Sequence, residues 1–188
     1  MGTLQLQKET PYALEIKELI RTIPNYPSPG IMFRDVTTLL GHSKGLHAVT
    51  ECFMQRYRGE KLSKVAGIEA RGFIFGAILA ANLGIGFVPI RKPGKLPAET
   101  FSRDYELEYG SASLEIHTDA VTASDKILLV DDLLATGGTA EAAAELLEKC
   151  GGTVQECCFV VDLPNLGGRE RLRKAGYSVF SICEFEGE

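Results

Sequence analysis

The chain has 188 residues, a length that suits one domain with a sizeable core. Hydrophobic residues make up 45% and charged residues 24%, and the formal net charge is −5, which excludes a disordered polyelectrolyte and gives no support to a nucleic-acid partner. No apolar run approaches the roughly 18 residues that cross a bilayer, and the N-terminus lacks a basic-then-apolar signal pattern, so a cytoplasmic protein with no membrane partner is expected.

In chain order, residues 11–21 carry Leu14, Ile16, Leu19 and Ile20 at helical spacing, which predicts a short amphipathic helix. Pro24, Pro27, Pro29 and Gly30 stop it and hold an extended segment that leads into IMFRDV at 31–36. A helix is expected over 43–57, a strand over 65–68, a small-residue helix over 71–83 and a strand over 85–90 ending in Arg91-Lys92. Residues 93–118 begin polar and broken by Pro and Gly, then alternate like an edge strand in SASLEIHT. So long a stretch without core periodicity reads as a lid. The pattern closes with strand 127–130, helix 140–150, strand 154–163, helix 168–175 and strand 178–183. This alternation predicts an α/β fold with a central, mostly parallel sheet flanked by helices, its ligand site at the carboxyl ends of the strands.

Cys52, Cys150, Cys157, Cys158 and Cys183 show no C-x-x-C spacing, so reduced thiols are expected rather than a disulfide framework or zinc site. His42, His47 and His117 form no H-x-x-x-H pair and are read as surface residues.

The most informative stretch is ILLVDDLLATGGT at 127–139. Asp131 and Asp132 follow the apolar run, where a central strand would end, and Ala135-Thr136-Gly137-Gly138-Thr139 makes a tight turn into a helix. Glycines let backbone N–H groups converge on a phosphate, and the helix N-terminus adds partial positive charge. The paired carboxylates suit ribose hydroxyls or a hydrated magnesium ion. The turn is neither a Walker A loop nor G-x-G-x-x-G.

Three further segments fall at expected strand ends. Glu69-Ala70-Arg71-Gly72 places an Arg at a helix N-terminus, which calls for a compensating anion. A surface salt bridge between Arg71 and Glu69 is the alternative. Arg91, Lys92 and Lys95 bracket a Pro-Gly turn at the mouth of the lid, where cations could close over a polyanion. Glu106, Glu108 and Tyr109 lie further along the lid. A carboxylate there could serve as a general acid or base in a dried site, or be part of a solvated acidic loop.

VDDLLATGGT resembles the phosphoribosyl-pyrophosphate motif of the type I phosphoribosyltransferases, and RKPGKLP with LEYG is similar to the adenine-using branch of that family. The resemblance runs from about residue 24 to about residue 172. It implies the type I fold, with a small hood region and a flexible catalytic lid at about 93–118 on one domain spanning 1–188. By the same resemblance Asp131 and Asp132 hold the ribose, and Ala135, Thr136, Gly137, Gly138 and Thr139 hold the 5′-phosphate. Glu69, Ala70, Arg71, Arg91 and Lys95 would meet pyrophosphate. Main-chain groups of Met32, Phe33 and Arg34 would read adenine, with Leu163 stacking on the base. Glu108 would manage the base's proton, with Tyr109 beside it and Arg71 completing the catalytic set. Magnesium is the implied cofactor, carried by the donor without direct protein ligands and reached at most through water from Asp131 or Asp132. The implied partners are adenine, 5-phosphoribosyl 1-pyrophosphate, AMP, pyrophosphate and a second copy of the chain in a homodimer. Two rivals are a transferase for another purine, such as xanthine, and a regulator that senses the pyrophosphate donor while binding nucleic acid.

Overall fold

The computed structural model describes residues 12–106 and 110–186. The expected catalytic residues Glu108 and Tyr109 therefore lie outside the described residues, as does the start of the expected first helix at Pro11.

That helix, α1 (Ala13–Glu18), buries Ile16 but leaves Leu14 68% exposed. It is shorter than its periodicity predicts, because Arg21 already opens strand β1 (Arg21–Pro24). β1 pairs antiparallel with β2 (Met32–Asp35), so the proline-held segment is the bend of a small two-stranded ribbon. Asn25 Oδ1 accepts the Gly30 N–H at 3.0 Å across that bend. A single turn, α2 (Thr37–Leu40), leads into α3 (Ser43–Tyr57). His42 caps α3: its Nδ1 accepts the Gly45 N–H at 3.1 Å and satisfies one of the orphan donors of the first turn. His42 and His47 are exposed as expected, and the half-buried His117 accepts the Ala98 N–H through Nε2 at 3.4 Å.

The central sheet follows: β3 (Lys64–Ile68), α4 (Arg71–Leu83), β4 (Gly86–Ile90), β7 (Lys126–Leu134), α5 (Gly138–Lys149), β8 (Thr153–Asp162), α6 (Gly168–Lys174) and β9 (Val179–Glu184). The strands lie in the order β4-β3-β7-β8-β9, and every pairing is parallel. Neighbouring residues go to opposite faces, as the period of two requires. Val65, Leu128, Val130 and Cys158 pack in one core with α3 and α4, while Ala66, Ile127, Leu129 and Cys157 pack in the other with α5. A near-continuous apolar run such as 127–130 is what a strand covered on both faces needs.

The expected lid has more structure than its sequence predicts. Thr100–Glu106 (β5) and Ser111–His117 (β6) form an antiparallel ribbon, and Leu114 and Ile116 of β6 are buried. β5 lies along α5, where Arg103 Nε meets Glu145 Oε2 at 2.5 Å and Lys149 Nζ sits 4.8 Å over the Phe101 ring.

Candidate active site

Numbered within the sheet alone, the strand order is 2-1-3-4-5, so the direction in which successive strands are added reverses between β3 and β7. In an open α/β sheet the crevice at that reversal is where ligands bind. Register places the Asp pair there. β7 pairs with β3 only as far as Gly67↔Val130, but continues beside β8 to Leu134↔Asp162. Asp131 and Asp132 thus do not follow the strand, as the sequence pattern suggested; they lie within it, where one neighbour has ended and the other has not. With no β3 residue opposite, the Asp132 N–H donates to Asp131 Oδ1 at 2.9 Å.

Gly72 allows helix α4 to start against this carboxylate. A Cβ on Gly72 would lie 2.7 Å from Val130 O and 2.8 Å from Asp131 Oδ1, closer than any side chain permits. Arg71, one residue earlier, brings Nε to 2.9 Å from Asp132 Oδ2. The alignment is poor for a hydrogen bond, so Asp132 Oδ2 remains a buried oxygen without one. Burial, then the charge of Asp132, holds the Asp131 carboxyl well above the usual carboxylate range. Burial also raises Asp132, against the pull of Arg71. Two carboxylates and one imperfectly aligned guanidinium form a site poised to exchange its internal partners for ligand.

The β3 and β4 ends supply the cations. Arg91 Nε donates to Glu69 Oε2 at 3.1 Å, and the Lys92 N–H reaches the same oxygen at 3.1 Å. The Arg91 bond holds Glu69 below the usual range for a glutamate. Glu69 is therefore the partner of Arg91 and not of Arg71, unlike the salt bridge weighed from sequence. Arg91 also donates through Nη1 to Lys95 O at 2.8 Å, while the Lys95 side chain stays exposed. The peptide between Glu69 and Ala70 is cis.

On the other side of the crevice, α5 begins at Gly138, two residues before the helix expected from sequence. Gly137 has φ +82°, and a Cβ there would stand 2.9 Å from Gly168 O. The Gly168 N–H donates to Ala135 O at 3.0 Å, so the start of α6 braces the turn from behind. Thr136 is exposed and Thr139 half-buried. A cavity of about 280 Å³ adjoins the turn, lined by Glu106, Gly138, Glu141 and Arg171 among others. A larger one of about 600 Å³, with Glu141, Gly167 and Arg171 in its wall, lies on the same flank. Both are beside the loop and away from the Asp pair; the strand-end geometry, not cavity size, locates the chemistry.

The ribbon brings in the remaining residues. Phe33 meets Tyr26 edge-on at 5.2 Å and carries the Arg71 guanidinium 5.8 Å over its ring, which joins the β2 segment to the crevice. Met32 is half-buried. The Arg34 side chain is committed elsewhere, donating to Thr22 Oγ1 at 2.5 Å and Glu186 O at 3.2 Å and lying 4.6 Å over Phe185. Leu163 follows β8 directly, is 7% exposed, and donates its N–H to Leu134 O at 3.0 Å.

Residues 35–187 match the phosphoribosyl transferase domain. The chain belongs to that family. An adenine phosphoribosyltransferase of Nitrosospira multiformis is 61% identical over 174 residues, covering 93% of this chain and 99% of that protein. The crystal structure of adenine phosphoribosyltransferase from Thermoanaerobacter pseudethanolicus is 50% identical with a TM-score of 0.88, over 92% of this chain and 99% of that one. The enzyme of Saccharomyces cerevisiae, solved with an imino-altritol bisphosphate and adenine, is 40% identical with a TM-score of 0.85, over 91% and 98%.

Two parts of this phosphoribosyltransferase site are missed by motif reading. One is the Gly167-Gly168 turn, visible in the sequence as a glycine pair but carrying no chemistry of its own. The other is Arg171, whose Nε donates to Glu141 Oε2 at 2.6 Å beside the 135–139 turn. Its signal is only a basic residue one helical turn beyond the glycines.

Proposed function

We infer that this protein transfers the 5-phosphoribosyl group from 5-phosphoribosyl 1-pyrophosphate to adenine, releasing pyrophosphate and forming AMP, as a purine-salvage enzyme. The observation that carries this reading is the meeting, at one sheet reversal, of the Asp131–Asp132 pair with a glycine turn opening α5. In this reading Asp131 and Asp132 accept the ribose hydroxyls, and the N–H groups of residues 136–139 take the 5′-phosphate. Arg71 exchanges Asp132 for the pyrophosphate, and that exchange frees Asp132 for the sugar. Arg91 and Lys95 close on the same polyanion, with Glu69 holding the Arg91 guanidinium and the Glu69-Ala70 segment meeting the same group.

Adenine presents an amino donor beside a ring acceptor, a pair that a backbone carbonyl and N–H can match. Hypoxanthine and guanine reverse that edge and would leave polar groups unpaired, a mismatch that can discriminate by about 10⁴. In this reading the β2 segment meets the base through its main chain, because the Arg34 guanidinium is turned to Thr22 and Glu186. Leu163 supplies an apolar surface for the ring. A base nitrogen attacks C1 of the ribose as the bond to pyrophosphate breaks, and Glu108 handles the base's proton, with Tyr109 beside it.

Magnesium fits the donor set. The ion prefers hard oxygens and is held through one or two carboxylates plus substrate phosphates, and Asp132 Oδ2 is a buried carboxylate oxygen free of hydrogen bonds. Among the described residues no group of three or more His, Cys, Asp or Glu could enclose a metal. When bound, it neutralises charge on the departing pyrophosphate. A homodimer belongs to the same reading by resemblance, and a cytoplasmic location is read from cysteines without C-x-x-C spacing, of which Cys157, Cys158 and Cys183 are buried free thiols.

Purified protein assayed with magnesium, the pyrophosphate donor and each of adenine, hypoxanthine, guanine and xanthine tests the function. AMP formation is expected with adenine alone; turnover of another base in its place would overturn the specificity. Glu108→Gln is expected to lower kcat in single-turnover experiments far more than it weakens donor binding, and an unchanged kcat would remove Glu108 from the chemistry.

A further inference from the structure

Helix α5 carries Glu141 in its first turn, where a carboxylate favours the free helix by answering its dipole. A phosphate dianion bound to the same turn reverses that preference, because two anions then share one helix terminus. This conflict rests on the phosphoribosyl reading above, which places the 5′-phosphate on residues 136–139. The structure contains a specific answer to it. Arg171 donates through Nε to Glu141 Oε2 at 2.6 Å, and its Nη1 lies 3.3 Å from where a Cβ on Gly138 would stand.

Arg171 is not delivered there by chance orientation of a surface side chain. Its helix starts at Gly168, whose N–H is bonded to Ala135 O and whose Cα lies 3.0 Å from a Cβ built on Gly137. That backbone contact fixes α6 in register with the phosphate loop, and Arg171 follows one helical turn later on the side facing Gly138. The carbonyl of Glu106, the last residue of β5, approaches the same point, 3.2 Å from a Cβ on Gly138. Of the other charged groups lining the cavity beside Gly138, Glu145 pairs with Arg103, while Asp104 and Glu106 add carboxylates, which leaves Arg171 as the cation facing the turn.

We propose that Arg171 is a positioning residue for the 5′-phosphate of the donor, acting by cancelling the charge of Glu141 at the mouth of the phosphate loop. It need not touch the phosphate. Without it, Glu141 would face the dianion from the first turn of α5 with its charge exposed, and a full charge at that range is enough to weaken binding by about tenfold.

The test uses ribose 5-phosphate, which carries the 5′-phosphate alone, with pyrophosphate and adenine as separate probes, measured by calorimetry on the full-length protein. Arg171→Gln is expected to weaken ribose 5-phosphate about tenfold while leaving pyrophosphate within about twofold, and to raise the KM for donor more than it lowers kcat. Glu141→Gln alone should bind ribose 5-phosphate at least as tightly as the unsubstituted protein. The double variant Arg171→Gln/Glu141→Gln should recover most of the lost affinity, and Arg171→Lys, which keeps the charge, should retain it. Equal ribose 5-phosphate affinity in Arg171→Gln and the unsubstituted protein would overturn the proposal, as would a double variant no better than the single one. A purely structural role predicts loss in every variant, including Glu141→Gln. Failure of the unsubstituted protein to bind ribose 5-phosphate would instead overturn the phosphoribosyl reading itself.

Discussion

Gly72→Ala puts the approach of α4 to Asp131 under direct test. Helix propensity alone favours alanine over glycine by up to about 1 kcal/mol. Packing opposes it here. The new Cβ would lie 2.7 Å from Val130 O, 2.8 Å from Asp131 Oδ1 and 3.2 Å from Asp131 Cα. Two of these neighbours are backbone atoms of a strand buried on both faces, so the clash cannot be relieved by turning a side chain. A carbon–oxygen contact needs about 3.3 Å or more, so helix and strand must separate by about half an ångström. Overpacking of that kind costs about 1–3 kcal/mol, which exceeds the propensity gain. The expected net loss is about 1–2 kcal/mol, a fall in Tm of about 2–8 °C for a chain of this size. Donor binding should weaken by tenfold or more, because the displaced group is Asp131 itself. Urea denaturation and donor titration read the two effects separately. Gly76→Ala is the control: its Cβ would meet the ring of Phe87 at 2.9 Å, a side chain that can yield, and donor affinity should not change. A Gly72→Ala protein as stable as the original, with unchanged donor affinity, would refute the close approach of α4 to the carboxylate.

Asp131→Asn should stabilise the ligand-free protein while removing donor binding. The folded-state pKa of Asp131 is raised by burial and by Asp132, so the ionised pair costs stability as pH rises above the unfolded value of about 3.9. The gain in Tm should therefore be present at pH 7 and vanish near pH 4; a gain that does not depend on pH would refute this. Asp35 and Asp125 have the opposite sign. Hydrogen bonds from Thr37 and Arg21 bring Asp35 down to about 2. At Asp125 burial pushes upward, but bonds from Thr122, Ser63 and Lys64 prevail, also to about 2. Each contributes about 1–2 kcal/mol above pH 4, discounted for the exposure of Arg21, and that stability is lost as pH falls towards 2. Asp35→Asn should lower the neutral plateau of a stability-against-pH curve by about 1–2 kcal/mol and flatten its acid limb, so that the two curves converge near pH 2.

Much of this layout is legible in the sequence because its signals are local. The run ILLV alternates between two cores and declares a strand covered on both faces, and the ATGGT turn announces its chemistry by composition alone. Other features depend on pairing between distant segments. Asp131 and Asp132 read as residues after a strand because the apolar pattern stops at Val130, but the hydrogen-bond ladder to β8 does not stop there. The choice of Arg71 for Asp132 and of Arg91 for Glu69 depends on which strand ends meet, which no local pattern encodes. Of the 100–117 hairpin, β6 shows in the alternation of SASLEIHT, but β5 does not, because its residues are largely exposed and it is held in part by Arg103 and Lys149 against α5.

The half-paired end of β7 can also be viewed as an exchange-labile position in an otherwise closed ladder. Beyond Val130 the strand has lost β3, and the Asp132 amide is held by the side chain of the residue before it. Asp131 serves as a stand-in for a missing strand, and a single side-chain acceptor gives less protection than a ladder flanked on both sides. A ribose that claims the Asp131 carboxylate competes for that acceptor. The amide of Asp132 thus becomes a built-in reporter of sugar occupancy, readable by hydrogen–deuterium exchange at one position while the ladder through Leu128 and Leu129 stays silent.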